Sequence, residues 1–392
     1  MAHATPLTRA ALERAMSNDE LVLYYQPKVC LLRGEIIGAE ALVRWNDRSR
    51  EIIPPDEFLP LAESSGLLHD ITIKLLDQVV AACTSLRDTR AGLALSMNVA
   101  ADDLASSTIS SRIGRFLDAG TISSQELQIE ITESAAMNKF ERVHDDLVRL
   151  TGLGIKVLMD DFGTGYSSID RLSQLPFSSL KLDQGVVRRM GTSRQNLDVV
   201  RSAISMAREL RMTSVAEGIE SAGAYNFLIA NGCEEAQGYW IARPMSLDDF
   251  HDFVRAPHDF TGSQIGRVHQ SILNLLQFRK SLVDAAFCNR LGVNDTLPSV
   301  MDPGFSSDFA SSPVGIWYYG IGQQLKENAS FRALEVPLVD VHETGHRLMA
   351  SLSDGAEGPS VDLAMAEIDK RIDRVIALMH VLERELLADR LT

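Results

Sequence analysis

From about residue 20 to residue 250 the chain alternates short apolar, β-branched runs with longer amphipathic stretches, and this alternation limits its possible folds more than any other feature. The strand-like runs are "LVLYYQP" (21–27), "IIGAEALVRW" (36–45), "GLALSMNVA" (92–100), "LQIEITE" (127–133), "IKVLMDD" (155–161), "SSLKLD" (178–183), "TSVAEGI" (213–219) and "EEAQGYW" (234–240). Helices are expected between most of them, among them Glu57–Leu86, Arg142–Leu153 and Ser193–Leu210. Near-continuous apolar strands in repeated β-α units belong to a parallel sheet covered on both faces. Eight such runs within roughly 235 residues point to a closed (β/α)₈ barrel more than to an open sheet, because about 250 residues is typical of one barrel.

In a parallel barrel the chemistry sits at the C-terminal ends of the strands. The polar residues that finish the apolar runs are Glu40, Asn98, Glu130, Asp160 with Asp161, Lys181, Glu217 and Gln237. A single strand-end acid is explained by capping of the next helix. Five carboxylates in one mouth are not, because they repel one another unless cations neutralise them. With an asparagine oxygen beside them they form a hard-oxygen set that suits Mg²⁺ or Mn²⁺ rather than zinc. Two such ions held ~3.5–4 Å apart are the usual device for cleaving phosphate esters. Asp160, at the inward-facing strand terminus, is the candidate bridge between them. Lys181, the one cation among the strand ends, can orient or deprotonate a water or stabilise developing charge. An ion pair with a neighbouring carboxylate is its competing structural reading. Neighbouring strand side chains point to opposite faces, so Gly163 and Gly165 of "DDFGTGYSS" (160–168) are read as the bend that lets Asp161 reach the outer ion.

The composition changes at "RAPHDFTGSQ" (255–264), which reads as a linker. The expected division is a barrel domain over 5–256, a linker over 257–264 and an all-α helical-bundle domain over 265–392. Met365, Ile368, Ile372, Val375, Met379, Leu382 and Leu386 keep the alternating three- and four-residue steps of an a/d seam. A helix over about 264–291 repeats that spacing, and another is expected around 337–352. A net charge of −15 argues against non-specific binding to nucleic acid or anionic membrane. Cys30, Cys83, Cys233 and Cys288 form no CxxC pair, so reduced, cytosolic thiols are expected. No signal-peptide core is seen at the N-terminus and no segment approaches the ~20 apolar residues of a membrane span. A soluble, cytoplasmic protein is the expectation.

The motifs "YYQP" (24–27), "EALVRW" (40–45), "PPDEFLPLAESSGLL" (54–68), "SMNVA" (96–100), "EITES" (130–134), "DDFGTGYSS" (160–168), "LKLD" (180–183), "VAEGIE" (215–220) and "GCEEAQGYWIARP" (232–244) together resemble the EAL-domain cyclic di-GMP phosphodiesterases. The resemblance implies a (β/α)₈ barrel with one antiparallel strand and hydrolysis of cyclic di-GMP to linear pGpG. It implies a first metal held by Glu40, Asn98, Glu130 and Asp160, and a second by Asp160, Asp161 and Glu217, with Lys181 beside the water. Gln26, Leu42, Arg44 and Gln237 match substrate contacts, the Arg44 guanidinium being able to bind two phosphate oxygens at once. Glu133 and the 162–168 loop, with Gly163, Thr164 and Gly165, match the element that couples metal binding to dimer formation. Glu220 belongs to the same pattern. No catalytic position is substituted, which favours an active enzyme over a catalytically inactive cyclic di-GMP receptor. No cyclase signature of the GGDEF type is present.

The stretch 311–345 is similar to the chemoreceptor zinc-binding (CZB) domain, a helical bundle holding zinc with three histidines and one cysteine. His269 fits its first ligand position and His342 its last. Ser312 stands in place of the cysteine and Leu338 in place of a histidine. A shifted site of His269, His342 and His346 is the alternative to a bundle that has lost its metal, since residues four apart share a helical face. Either way the expectation is a bundle that associates with a copy of itself and regulates the barrel.

Overall fold

A computed structural model of the protein describes residues 7–47, 52–163, 169–291, 308–356 and 358–388. The chain forms two compact units. One comprises Met1–Cys30, Glu35–Ala224 and Glu235–His258, the other Leu31–Gly34, Tyr225–Glu234 and Asp259–Thr392. No boundary signal in the sequence anticipates the two short segments that join the second unit.

The first unit is a closed barrel whose strands neighbour one another in chain order. They are β1 (Leu21–Cys30), β2 (Glu35–Trp45), β3 (Ala94–Asn98), β4 (Leu127–Thr132), β5 (Lys156–Phe162), β6 (Ser179–Leu182), β7 (Thr213–Ala216) and β8 (Glu235–Gln237). β1 runs antiparallel to both β2 and β8, and the remaining neighbours are parallel. The short connection between β1 and β2 forces that inversion, because parallel strands need a long crossover. The closed barrel read from the strand runs, with the one reversed strand that the family resemblance implies, is therefore the fold. The helix expected over Glu57–Leu86 is two helices, Pro55–Ser64 and Leu68–Leu86. Gly66 between them has φ +73°, the left-handed conformation that ends a helix and that glycine adopts without a steric penalty. The other two expected helices form as Phe140–Gly152 and Arg194–Glu209, the latter capped by Ser193, whose side chain accepts the Asn196 N–H.

The second unit is helical: α1 (Gln264–Arg290), α2 (Pro313–Tyr319), α3 (Glu335–Ser353) and α4 (Pro359–Ala388), with shorter turns between. The seam of α4 is turned inward. Ile368, Ile372, Val375, Met379 and Leu382 are fully buried against Leu275, Leu282, Trp317, Phe331, Leu338 and Leu348, with Met365 and Leu386 partly buried at the edge. The a/d spacing read from the sequence therefore closes this unit's own core. Among the described residues no helix is long and apolar enough to cross a membrane.

Gly38 controls how closely β2 and β3 can pair, and these strands carry Glu40 and Asn98. It sits opposite Ala94 in the β2–β3 register, where an added Cβ would lie 1.8 Å from the Ala94 carbonyl oxygen. Such a clash with backbone cannot be relieved by a side-chain rotation. Gly38→Ala is therefore expected to destabilise the barrel by about 1–3 kcal/mol, the usual range for overpacking. Urea unfolding measures it, and an unchanged midpoint would contradict the reading of this contact.

Candidate active site

Seven strands direct their polar ends into one barrel mouth. Register explains the grouping. Gln26 pairs with Glu40, Glu40 with Ser96, Asn98 with Glu130, and Thr132 with Asp160. Lys181 lies at the centre, fully buried. Its Nζ is 2.6 Å from Glu217 Oε1, 3.1 Å from Asp160 Oδ1 and 3.3 Å from Glu40 Oε2, and it also donates to Glu130 Oε2. Asn98 donates from Nδ2 to Glu40 Oε1 at 2.9 Å. Gln237 donates from Nε2 to Glu40 Oε2 at 2.7 Å and to Gln26 Oε1 at 2.9 Å. The structure thus brings together Glu40, Asn98, Glu130, Asp160, Lys181, Glu217, Gln237 and Gln26. Leu42 and Arg44 lie farther along β2, partly buried, where Arg44 donates to the Val43 carbonyl at 2.8 Å.

Asp160 and Asp161 are separated by backbone geometry. Asp161 has φ +57°, and the β5–β6 register shifts between Met159 and Phe162, a bulge that breaks the strict alternation of strand side chains. A non-glycine residue there carries strain of roughly 1–3 kcal/mol. The bend expected from the glycines thus begins at Asp161 itself, whose N–H donates to Asp160 Oδ1 at 2.9 Å. Gly163, at φ +100°, continues it, and its N–H donates to Glu133 Oε2 at 3.0 Å. Thr164 and Gly165 lie outside the described residues. Glu220, in the same region of motifs, pairs with Arg188 at 2.8 Å on an exposed surface.

Electrostatics dominate this mouth. Burial pushes Glu217 up to about 8, with Asp160 and Glu40 adding to the rise and Lys181 opposing it. Burial and then Glu40 push Glu130 up to about 6. Asp160 and Asp161 are also raised by burial, Asp161 further by Asp183. Of these acids Glu40 alone falls below the ordinary carboxylate value: burial raises it, but Lys181, Gln237 and Lys28 together outweigh that penalty. At ~4 Å and an effective dielectric near 20, one like-charge pair costs about 4 kcal/mol. Two lysines cannot offset five carboxylates at that cost.

Lys28 and its partners escaped the sequence reading. Buried on β1, Lys28 donates from Nζ to Ser96 Oγ at 3.0 Å and to Gln128 Oε1 at 2.9 Å, and lies 3.8 Å from Glu130 Oε1. The signal was available. Lys28 shares strand parity with Gln26, but ending the first run at Pro27 hid a strand that continues to Cys30.

The side chains of Glu40, Glu130 and Asp160 offer ligand oxygens within 4.8 Å of one another, a group that can hold a metal ion. Glu130 Oε1 is buried and has no hydrogen-bond partner among the described residues. An acid-rich, all-oxygen set with such an oxygen to spare fits a hard divalent cation.

The histidine site expected in the second unit does not assemble among the described residues. His269 is exposed on α1 with Nδ1 3.6 Å from Glu383 Oε1. His342 is buried, its ring 5.6 Å from that of Phe309 and 6.3 Å from that of Phe278. His346 is half-buried, and among the described residues no group of three donors in this unit comes close enough to share a metal ion. Ser312 caps α2, accepting from the Gly315 N–H at 3.1 Å and donating to the Phe309 carbonyl. Leu338 is packed in the core. Both departures from the zinc pattern have taken up structural work.

Residues 9–244 match the EAL domain family. Over 244 residues the chain is 37% identical to the cyclic di-GMP phosphodiesterase RocR of Pseudomonas aeruginosa, covering 62% of this chain and 62% of RocR. It is also 37% identical over 244 residues to the cyclic di-GMP phosphodiesterase PdeR of Escherichia coli, covering 62% of this chain and 37% of PdeR. The chain thus spans less than two thirds of the length of these relatives. Among solved structures, the PaMucR phosphodiesterase in its c-di-GMP complex superimposes with a TM-score of 0.59 at 33% identity, covering 62% of this chain and 98% of that one. The cAMP- and cyclic-di-GMP-bound form of the EAL enzyme Bd1971 gives 0.60 at 27% identity, covering 62% and 67%.

Removing the central ammonium should leave the acids without their buried counter-charge. Lys181→Met, measured by urea unfolding in chelator, is expected to lose about 3–5 kcal/mol. Added Mg²⁺ should recover part of that loss. Equal stability of variant and parent in chelator would show that the lysine is not balancing the acids.

Proposed function

This chain belongs to the EAL domain family, and on that premise we propose that its barrel is a divalent-cation-dependent phosphodiesterase converting cyclic di-GMP to linear 5′-pGpG. The observation that carries the proposal is the convergence of Glu40, Glu130, Asp160 and Glu217 on Lys181 in one mouth. Relatives bearing the name cyclic di-GMP phosphodiesterase, and a related structure with that nucleotide bound, support the substrate.

In this reading Glu40, Asn98, Glu130 and Asp160 would hold one cation, and Asp160, Asp161 and Glu217 would hold a second, each Mg²⁺ or Mn²⁺. When bound, such ions polarise phosphoryl oxygens and make water nucleophilic at neutral pH. The residues divide the remaining work. Asn98 uses its amide N–H on Glu40, which leaves its carbonyl oxygen for a cation. Gln237 holds Glu40 Oε2 and Gln26 in place. Lys181 Nζ orients the attacking water and stabilises charge on the phosphoryl oxygens. Arg44 binds a phosphate through its planar fork. Water adds to one phosphorus as the bond to the 3′ oxygen breaks, a proton from the water ends on that 3′ oxygen as a hydroxyl, and the ring opens with the phosphate left on the 5′ side.

We further read the protein as cytoplasmic and as a homodimer. The Gly163 N–H bond to Glu133 ties the loop after β5 to the helix after β4, a link suited to coupling the site to association. The second unit, a bundle without an assembled histidine site among the described residues, is read as the regulatory part.

The test is incubation of purified protein with cyclic di-GMP and Mg²⁺ or Mn²⁺, followed by chromatography. A single product, 5′-pGpG, is expected. Glu40→Ala should lower turnover at least about a hundredfold, as loss of a preorganised electrostatic group does, with far-ultraviolet circular dichroism unchanged. Full turnover in the variant, or none in the parent with either ion, would contradict the proposal.

A further inference from the structure

Beneath the acids of the mouth lies a second polar layer, and its centre is Lys28. Ser96 and Gln128 stand two residues before Asn98 and Glu130 on β3 and β4, so they share the inward parity of those residues one step deeper. Lys28 reaches the same depth from the reversed β1, two residues beyond Gln26. Its Nζ donates to Ser96 Oγ at 3.0 Å and to Gln128 Oε1 at 2.9 Å, and lies 3.8 Å from Glu130 Oε1. The other oxygen of that carboxylate, Glu130 Oε2, accepts from Lys181. One acid is therefore held between two fully buried ammonium groups. Barrel interiors are ordinarily filled by bulky apolar side chains. An apolar residue at position 28 would fill the space without the cost of burying a charge, so packing does not account for the lysine.

A fixed positive charge behind a cation ligand acts in opposite senses on the two partners of this mouth. It repels a divalent cation at Glu130, and it attracts the phosphodiester anion that enters above. Lys181 cannot supply the same effect from below, because it already contacts Glu40, Glu130, Asp160 and Glu217 within the mouth itself. We propose that Lys28 is a positioning residue that holds Glu130 from beneath and, through its charge, tempers cation binding while strengthening the hold on the anionic substrate. The inference rests on the phosphodiesterase reading above and deepens it, assigning to the floor of the barrel a share in substrate binding that no contact with the substrate provides.

Calorimetric titration of the full chain with Mn²⁺, paired with steady-state turnover of cyclic di-GMP at saturating Mn²⁺, tests it. Lys28→Gln removes the charge and keeps an amide that can donate to Ser96 and Gln128. It should bind Mn²⁺ at least about fivefold more tightly than the parent, while KM for cyclic di-GMP rises at least about fivefold and by a larger factor than kcat changes. A lysine that only supports the fold would weaken both or alter neither, so the opposite signs are the mark of the charge. Lys28→Arg keeps the charge and should keep the Mn²⁺ dissociation constant within about threefold of the parent. It decides the matter alone if circular dichroism shows that Lys28→Gln does not fold. Mn²⁺ binding that is unchanged or weaker in Lys28→Gln, an unchanged KM in that variant, or a constant outside the threefold range in Lys28→Arg would overturn the role of Lys28 and leave the phosphodiesterase reading standing. A parent that neither binds Mn²⁺ nor turns over cyclic di-GMP would overturn that reading and this inference with it.

Discussion

One ammonium among four carboxylates governs this barrel. Lys181 is fully buried, and the four acids that surround it come from β2, β4, β5 and the end of β7. A buried lysine is unfavourable without partners, and buried acids are unfavourable without counter-charge. Each therefore requires the other, and both require the barrel to close. Closure depends on the reversed β1, which brings Gln26 and Lys28 to the same interior. It also depends on Gly38, whose missing side chain lets β2 approach β3. Burial first, and neighbouring carboxylates after it, raise the carboxyl groups of Glu130, Asp160, Asp161 and Glu217. Divalent cations are the natural complement to a site of that kind.

The barrel and its acids were legible because both obey short periods. Continuous apolar runs identify strands buried on both sides, and the residue ending each run must lie at the mouth. Glu40, Glu130, Asp160, Lys181 and Glu217 lie on such runs or just beyond them. What the sequence concealed depended on backbone geometry or on the third dimension. The left-handed Asp161 is one case, since no residue-type rule places the bulge there rather than at the nearby glycines. Lys28 is another, because the strand carrying it extends past a proline at which a run is naturally ended. Gly66 shows the reverse: a glycine inside an amphipathic stretch was a stop signal, and its φ of +73° makes it one.

The second unit teaches a related lesson about seams and ligands. An a/d pattern states that a helix has an apolar row, not what covers it. The rows read on α4 and on α1 are both covered by the unit itself, Ile368, Ile372 and Val375 of one packing in the same core as Val268, Ile272 and Leu275 of the other. Residue identity likewise says little about ligation until direction is known. His342 packs between aromatic rings, whereas His269 faces a glutamate at the surface. Ser312 and Leu338 occupy positions where a metal-binding bundle would need other chemistry, and they cap a helix and fill a core instead.

If the acids of the mouth form the proposed two-cation centre, Asp160 is the ligand that both ions share. Calorimetric titration of the purified chain with Mn²⁺ counts the ions directly. Two per barrel are expected in the parent, none bound tightly in Asp160→Asn, and one retained in Asp161→Asn. A single site in the parent, or an Asp160→Asn variant that still binds two ions, would contradict it.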